Sequence, residues 1–302
     1  MVSARAPTPI DPLDVSTWSE AEALEQLDLW ESVIPARTFE EIPEQRDAEA
    51  VVLGDTHGDW PTLRMLVDRY LHGPRARARW IALGDYVDRT PRGLPQGSLR
   101  NALYVLSLRA ALPERVTLLR GNHETQRQMP AGMHALQDES RELWGSTTVA
   151  ERAQDLFDRL PLAARTQSGV YLAHAGFPMG GEGPLIDSFR EVSERLLCEV
   201  VWNDVEGSPA CGHRGIDQEP IRAGNLASFL ARSDSDAMLR GHDPDIAGTL
   251  LFEGRLLTVH GSRVFAAAGL TTATVPLGGR VRRLTPTMLE RLEFPPLPAR
   301  RQ

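Results

Sequence analysis

Three times in the first half of the chain, a short apolar run stops at a glycine and gives way at once to side chains that bind metals. Residues 51–53 lead into Gly54-Asp55-Thr56-His57-Gly58, residues 81–83 into Gly84-Asp85-Tyr86-Val87-Asp88-Arg89, and residues 116–119, after Arg120, into Gly121-Asn122-His123-Glu124. Two further runs, 170–173 and 237–240, end at His174 and His242. Short, nearly uninterrupted apolar runs are the mark of strands buried on both faces, and ligands of open α/β sheets gather beyond the carboxyl ends of such strands. Helical patterns alternate with the runs, which predicts an α/β chain with sheets covered by helices.

The donors at these strand ends are carboxylate, amide and imidazole with no thiolate, a mixture suited to borderline divalent ions. An isolated Gly-Asp is most often a loop carboxylate capping a helix, but its recurrence beside histidine and asparagine argues for ligation. Asp55, His57, Asp85, Asn122, His174 and His242 are too many for one ion that keeps an open position. Two ions sharing a ligand fit better. At a separation of roughly 3.5–4 Å, such a pair holds a hydroxide between its members and clamps a phosphoryl group for in-line displacement.

Composition narrows the alternatives. The chain has 302 residues with 41% hydrophobic content, enough for one large domain. No apolar stretch approaches the roughly 20 residues that cross a bilayer. The first residues lack the apolar centre of a signal peptide, and two cysteines, Cys198 and Cys211, give no disulfide framework. A cytoplasmic protein with no membrane partner is expected. A net charge of −8 argues against non-specific nucleic-acid binding. All 33 basic residues are arginine. That excludes the P-loop, the kinase lysine and Schiff-base chemistry, so any fixed cation touching phosphate must be arginine or metal.

Taken in order, residues 1–15 read as loose, and Ser16-Thr17-Trp18-Ser19-Glu20 opens a helix carrying Leu24, Leu27, Leu29 and Trp30. Residues 1–49 thus form an N-terminal helical extension, closing in a charged connector over 40–49. The main domain spans 50–290. Within it, Pro61 sits in the first turn of a helix, and further helices fall near 99–111, 135–144, 149–160, 185–197 and 225–231. The loop 178–184 is either a plain connection or a substrate contact. From Thr249 onward, short apolar runs around Glu253-Gly254 and Gly278-Gly279 predict β-hairpins, and 291–302 is an extended proline-rich tail.

The blocks GDxHG, GDxVDR and GNHE, followed by His174-Ala175-Gly176 and Arg240-Gly241-His242, resemble the phosphoprotein phosphatase (PPP) family of serine/threonine metallophosphatases, within the calcineurin-like metallophosphoesterases. The resemblance runs from about Val51 to about His260. It implies a sandwich of two central sheets flanked by helices, with the metals at the strand carboxyl ends. It assigns Asp55, His57 and Asp85 to a first metal, and Asp85, Asn122, His174 and His242 to a second, with Asp85 as the bridge. The ions expected are manganese in vitro, with iron and zinc also accepted by this ligand set. His123 is then the proton donor to the departing alcohol and Asp88 its orienting partner; for Asp88 the rival is a salt bridge to Arg89. Arg89, Arg214 and Asn122 are expected to hold phosphate oxygens, with a surface role as the alternative for Arg214. Glu124 is expected to support its turn. Asn203 and Asp204, in a Trp-x-Asp segment like that of the family, are expected to orient ligands.

Some positions depart from the family pattern. Thr90 stands where glycine is usual, Ala175 replaces the first glycine of His-Gly-Gly, and the Ser-Ala-Pro-Asn-Tyr segment is missing after His260. That leaves His260 as a core or loop residue, or as one lining the site. His72, His134 and His213 read as ordinary polar residues. The function implied is hydrolysis of phosphoserine or phosphothreonine in proteins, with a phosphoprotein or phosphopeptide as partner. A diadenosine-tetraphosphatase-type hydrolase shares the metal blocks but typically carries Ala-Arg where this chain has Asp88-Arg89. A catalytically weak scaffold is the third reading, and the complete ligand set argues against it.

Overall fold

The computed structural model describes residues 7–73, 78–180, 184–213 and 218–298. Its strands are β1 Phe39–Ile42, β2 Glu49–Leu53, β3 Arg79–Ala82, β4 Val116–Leu118, β5 Ala163–Thr166, β6 Val170–Ala173, β7 Ala237–Arg240, β8 Leu250–Leu251, β9 Leu256–Thr258, β10 Leu270–Pro276 and β11 Leu289–Leu292. Its α-helices are α1 Glu20–Val33, α2 Trp60–Val67, α3 Gly97–Ala111, α4 Ala135–Trp144, α5 Thr148–Phe157, α6 Glu194–Val201 and α7 Ala223–Arg232. The strands form two mixed sheets, one ordered β1-β5-β6-β7-β9-β8 and the other β11-β10-β2-β3-β4. Within them β2, β3 and β4 run parallel, as do β6, β7 and β9. Each sheet therefore gathers three carboxyl ends at one edge.

Successive side chains of a strand point to opposite faces, and this alternation sorts the apolar runs into layers. Val52, Ile81 and Leu119 share a core with Leu172, Leu239 and Leu257 between the sheets. Val51, Leu53, Trp80 and Ala82 turn the other way, onto α1, α2, α3 and α5. On the far side Tyr171, Ala173, Met238 and Leu256 pack against α6 and α7. Each buried aliphatic side chain contributes roughly 1.5–3 kcal/mol, and a one-residue slip would turn a whole strand's set outward. The register that places the ligand loops is fixed by this packing.

Local signals start the helices. Ser19 and Glu22 form a capping box at α1, with Glu22 Oε2 2.7 Å from the Ser19 amide, and Ala23, Leu27 and Trp30 make its buried stripe. Asp59 caps α2, and Pro61 lies in its first turn. The helices expected near 99–111, 135–144, 149–160 and 225–231 are α3, α4, α5 and α7, with ends shifted by a few residues.

Several expectations are corrected. The supposed connector over 40–49 contains the end of β1, paired in parallel with β5. Its buried Glu40 is satisfied by Arg109 at 3.4 Å, Arg79 at 3.7 Å and Thr117 Oγ1 at 3.1 Å. The cover expected over 1–49 therefore also supplies an edge strand. Nor are residues 7–15 loose: the Ile10 amide donates to Ser107 Oγ at 3.2 Å, Arg100 Nη1 donates to the Pro12 carbonyl at 3.0 Å, and Val15 is buried. The single helix expected over 185–197 is a 3-10 turn at Leu185–Phe189 followed by α6, because Ser193 takes an extended backbone and caps the Leu196 amide. Around Glu253-Gly254, β8 and β9 pair antiparallel as expected, and β10 pairs antiparallel with β11. Residues 293–298 carry neither helix nor strand, and 299–302 lie outside the described residues. Among the described residues, no helix is long and apolar enough to cross a membrane.

Candidate metal centre

The ligand loops leave β2, β3 and β4 of one sheet and β6 and β7 of the other, and converge between them. Backbone contacts hold them in place. The Thr56 and His57 amides both donate to the Asp85 carbonyl, at 3.0 and 2.9 Å. Glu124 accepts from the amides of Gly121 at 2.9 Å and of Asp85 and Tyr86 at 2.7 Å. It supports the turn, as expected, and braces the neighbouring loop as well; burial and the nearby Asp85 push its pKa up to about 7. The glycines allow the contact: a Cβ on Gly84 would lie 2.2 Å from the Gly121 nitrogen, and one on Gly121 would lie 2.1 Å from Asp85 Oδ1. His57, Asp85, Asp88, Arg89 and His242 all have positive φ, between 43° and 71°. L-residues held there cost on the order of 1–3 kcal/mol each, strain that collects at working sites.

Donor directions decide what the cluster can hold. His57 Nδ1 lies 2.9 Å from the Val87 carbonyl, and His174 Nδ1 lies 3.1 Å from the Leu83 carbonyl. A carbonyl only accepts, so in both rings the proton sits on Nδ1 and the bare Nε2 points inward. His57 Nε2 faces Asp85 Oδ2 at 3.6 Å and Asp55 Oδ2 at 3.8 Å. His174 Nε2 faces Asn122 Oδ1 at 2.9 Å, His242 Nδ1 at 3.0 Å and Asp85 Oδ2 at 3.4 Å. Asn122 Oδ1 is also 3.0 Å from His242 Nδ1. A divalent ion among these inward-facing imidazole nitrogens and carboxylate and amide oxygens would take a lone pair from each. The residues fit divalent ions on this ground, and Asp85 belongs to both clusters of donor atoms, one with His57 and His123, the other with His174 and His242. Asp55 completes the first side and also accepts from the His242 amide at 2.8 Å.

His123 is turned differently. Its Nδ1 lies 2.7 Å from Asp88 Oδ2, leaving Nε2 toward the cavity, 3.9 Å from Asp85 Oδ2. Asp88 also accepts from the Ala135 amide at 3.0 Å and from Gln126 Nε2 at 3.2 Å, so its carboxylate is committed to His123 and α4 rather than to Arg89. Burial works against charge on His123, yet Asp85 and Asp88 outweigh it and raise its pKa above the ordinary value. The opposite holds for His57, where burial dominates and lowers the pKa to about 4.

Asp55, His57, Asp85, Arg89, Asn122, His123 and His242 line a cavity of about 190 Å³ whose mouth is completed by Pro244, Asp245 and Phe265. Arg89 is exposed at the rim, its guanidinium 5.6 Å from the Phe265 ring centre. Arg214 lies outside the described residues. Asp204 Oδ1 lies 3.8 Å from His242 Nε2, whereas Asn203 offers its carbonyl to Arg240 at 3.1 Å. The loop 178–184, described as far as Gly180 and again at Pro184, is pinned by Arg232 through the Pro178 and Gly180 carbonyls, and its Met179 lines a separate cavity with Glu194, Cys198 and Glu199. Thr90 joins Ser98 Oγ at 2.9 Å and Glu139 at 3.0 Å, and Glu139 caps the first turn of α3. Phe265 and His260 follow no motif block. The signal for them was position, past β9 in a chain where β2, β3, β4, β6 and β7 lead into candidate ligands.

The calcineurin-like phosphoesterase family pattern matches residues 49–245. The chain is 29% identical over 234 residues to the serine/threonine-protein phosphatase 4 catalytic subunit of Saccharomyces cerevisiae, covering 71% of this chain and 69% of that one. Its fold is similar to a protein serine/threonine phosphatase from Saccharomyces cerevisiae with similarity to human phosphatase PP5, with a TM-score of 0.72 at 22% identity over 96% of this chain and 92% of that one. A cold-active protein-tyrosine phosphatase of a psychrophilic Shewanella is similar at a TM-score of 0.57 and 15% identity, over 87% of this chain and 84% of that one. With its family pattern covering most of the chain and its donor atoms gathered where two sheets meet, the chain belongs to the calcineurin-like phosphoesterases, and its likeness in sequence runs to the serine/threonine protein phosphatases.

Proposed function

We propose that this chain hydrolyses phosphoserine and phosphothreonine in proteins, with Asp55, His57, Asp85, Asn122, His174 and His242 holding two divalent ions. The observation that carries the reading is the pair of donor clusters sharing Asp85, beside an imidazole that is not turned into a carbonyl but onto a carboxylate. When bound, the ions supply an activated water and polarise the phosphoryl oxygens. Manganese is the ion of choice in vitro, and iron or zinc suits the same donors.

The protein's own groups do the rest. Asp88 accepts the Nδ1 hydrogen of His123, so the second proton of the imidazolium sits on Nε2, facing the cavity. From there it passes to the oxygen of the departing serine or threonine, which would otherwise leave as a poor alkoxide. Arg89 at the rim, with Asn122 within and Arg214 as the remaining candidate, binds the non-bridging phosphate oxygens by charge-assisted bonds. A phosphoprotein partner and a cytoplasmic site of action complete the proposal.

The test is an assay of purified protein with manganese on a phosphoserine peptide, a phosphotyrosine peptide and a dinucleoside polyphosphate. Turnover of the phosphoserine peptide well above the other two is expected. Preference for the dinucleoside polyphosphate, or no turnover of any substrate, would sink the reading.

A further inference from the structure

His260 lies just past β9, fully buried, on the first-metal side of the centre. Its backbone is clamped: the amide donates to Thr271 Oγ1 at 2.9 Å, and the carbonyl accepts from the Thr271 amide at 2.8 Å. The next residue, Gly261, donates its amide to the Asp55 carbonyl at 2.9 Å, tying this loop to the Asp55 loop. The ring is held edge-on to Phe265, centroids 5.4 Å apart. Its Nδ1 accepts the Ser262 amide at 3.3 Å, which leaves the ring hydrogen on Nε2. That Nε2 is buried without a hydrogen-bond partner among the described residues, and Asp55 Oδ2 stands 3.9 Å in front of it. A buried donor left unmade forfeits its hydration without replacement. The distance is too long for a direct bond and suits one shared through a single solvent molecule or closed by a small shift of the carboxylate.

Resting on the two-metal reading above, we propose that His260 is a positioning residue for the first metal site, donating its Nε2 hydrogen to Asp55 Oδ2 directly or through one solvent molecule. It fixes which carboxylate lone pair faces the ion, as outer donors do for metal-bound carboxylates. It is not itself a ligand, because ligation through Nε2 would need the hydrogen on Nδ1, where Ser262 already donates.

His260→Phe removes the donor and keeps a ring against Phe265, whereas His260→Gln sets an amide N–H near the place of Nε2. Manganese uptake is measured by titration, followed by electron paramagnetic resonance. The parent is expected to take up two ions, His260→Phe to bind one of them roughly 10–100-fold more weakly with the other unchanged, and His260→Gln to recover most of the loss. Two ions held by His260→Phe at parent affinity, or a glutamine variant no better than the phenylalanine one, overturns the inference. A parent chain that takes up fewer than two ions overturns the metal reading, and this inference with it. Should His260→Phe not fold, the nitrogen-15 shifts of the parent's His260 decide: a hydrogen on Nε2 with and without zinc is expected, and its transfer to Nδ1 on zinc addition means direct ligation and overturns the inference.

Discussion

The two sheets bring different chemistry to the centre. The five-stranded sheet supplies the carboxylates Asp55, Asp85 and Asp88, the Asn122 amide and the imidazoles of His57 and His123, on loops braced against one another by Glu124 and by the Asp85 carbonyl. The six-stranded sheet supplies the imidazoles of His174, His242 and His260, each on a short turn just past a strand end. In the proposed two-ion centre, the charge that attracts cations and the proton for the leaving group come from one side, while His174 and His242 from the other complete the coordination. Loss of the shared carboxylate Asp85 on the first side should cost both ions, and loss of His174 or His242 on the second should be confined to one.

The sharpest way to break this contrast compares Asp85 with His174. Asp85→Asn should release both ions and drop activity to background, because the shared carboxylate faces both clusters, whereas His174→Ala should release one ion and retain the other. Metal analysis of the purified variants decides, and two tightly held ions in Asp85→Asn would remove Asp85 from its bridging place.

Within the five-stranded side, His123 separates proton transfer from metal binding. His123→Asn should keep both ions and lose activity on a phosphoserine peptide by a factor on the order of 10²–10⁴. On p-nitrophenyl phosphate, whose phenolate leaves without help, the loss should be distinctly smaller. Equal losses on the two substrates would give the proton to another group.

The smallest effect belongs to Arg89, exposed at the rim. Arg89→Ala should keep both ions and weaken inhibition by free phosphate roughly tenfold, the size of one charge-assisted bond discounted for solvent. Unchanged inhibition would place the phosphate out of its reach.

Legibility in the sequence followed the same division. The five-stranded side could be read because each of its ligand loops follows an apolar run and a glycine that the close loop contacts require, as at Gly84 and Gly121. His174 and His242 were readable as strand endings. β1 and β5 were not, because Phe-Glu-Glu-Ile and Ala-Ala-Arg-Thr lack the β-branched run of a buried strand; Glu40 is tolerated in β1 only because Arg79 and Arg109, remote in sequence, pair with it. The break before α6 turned on a single serine cap. His260 was readable only as a core, loop or site-lining residue, since no motif block contains it and Asp55, which it faces, lies at the other end of the fold's sequence span.

The inner layer of Val52, Ile81, Leu119, Leu172, Leu239 and Leu257 does more than fill space between the sheets. It is the spacer between the Asp85 loop and the His174 loop, and in the proposed two-ion centre the ligand spacing depends on its thickness. In that centre, a methyl group lost from the layer is expected to act on metal affinity as well as on stability, since a close-packed core transmits strain.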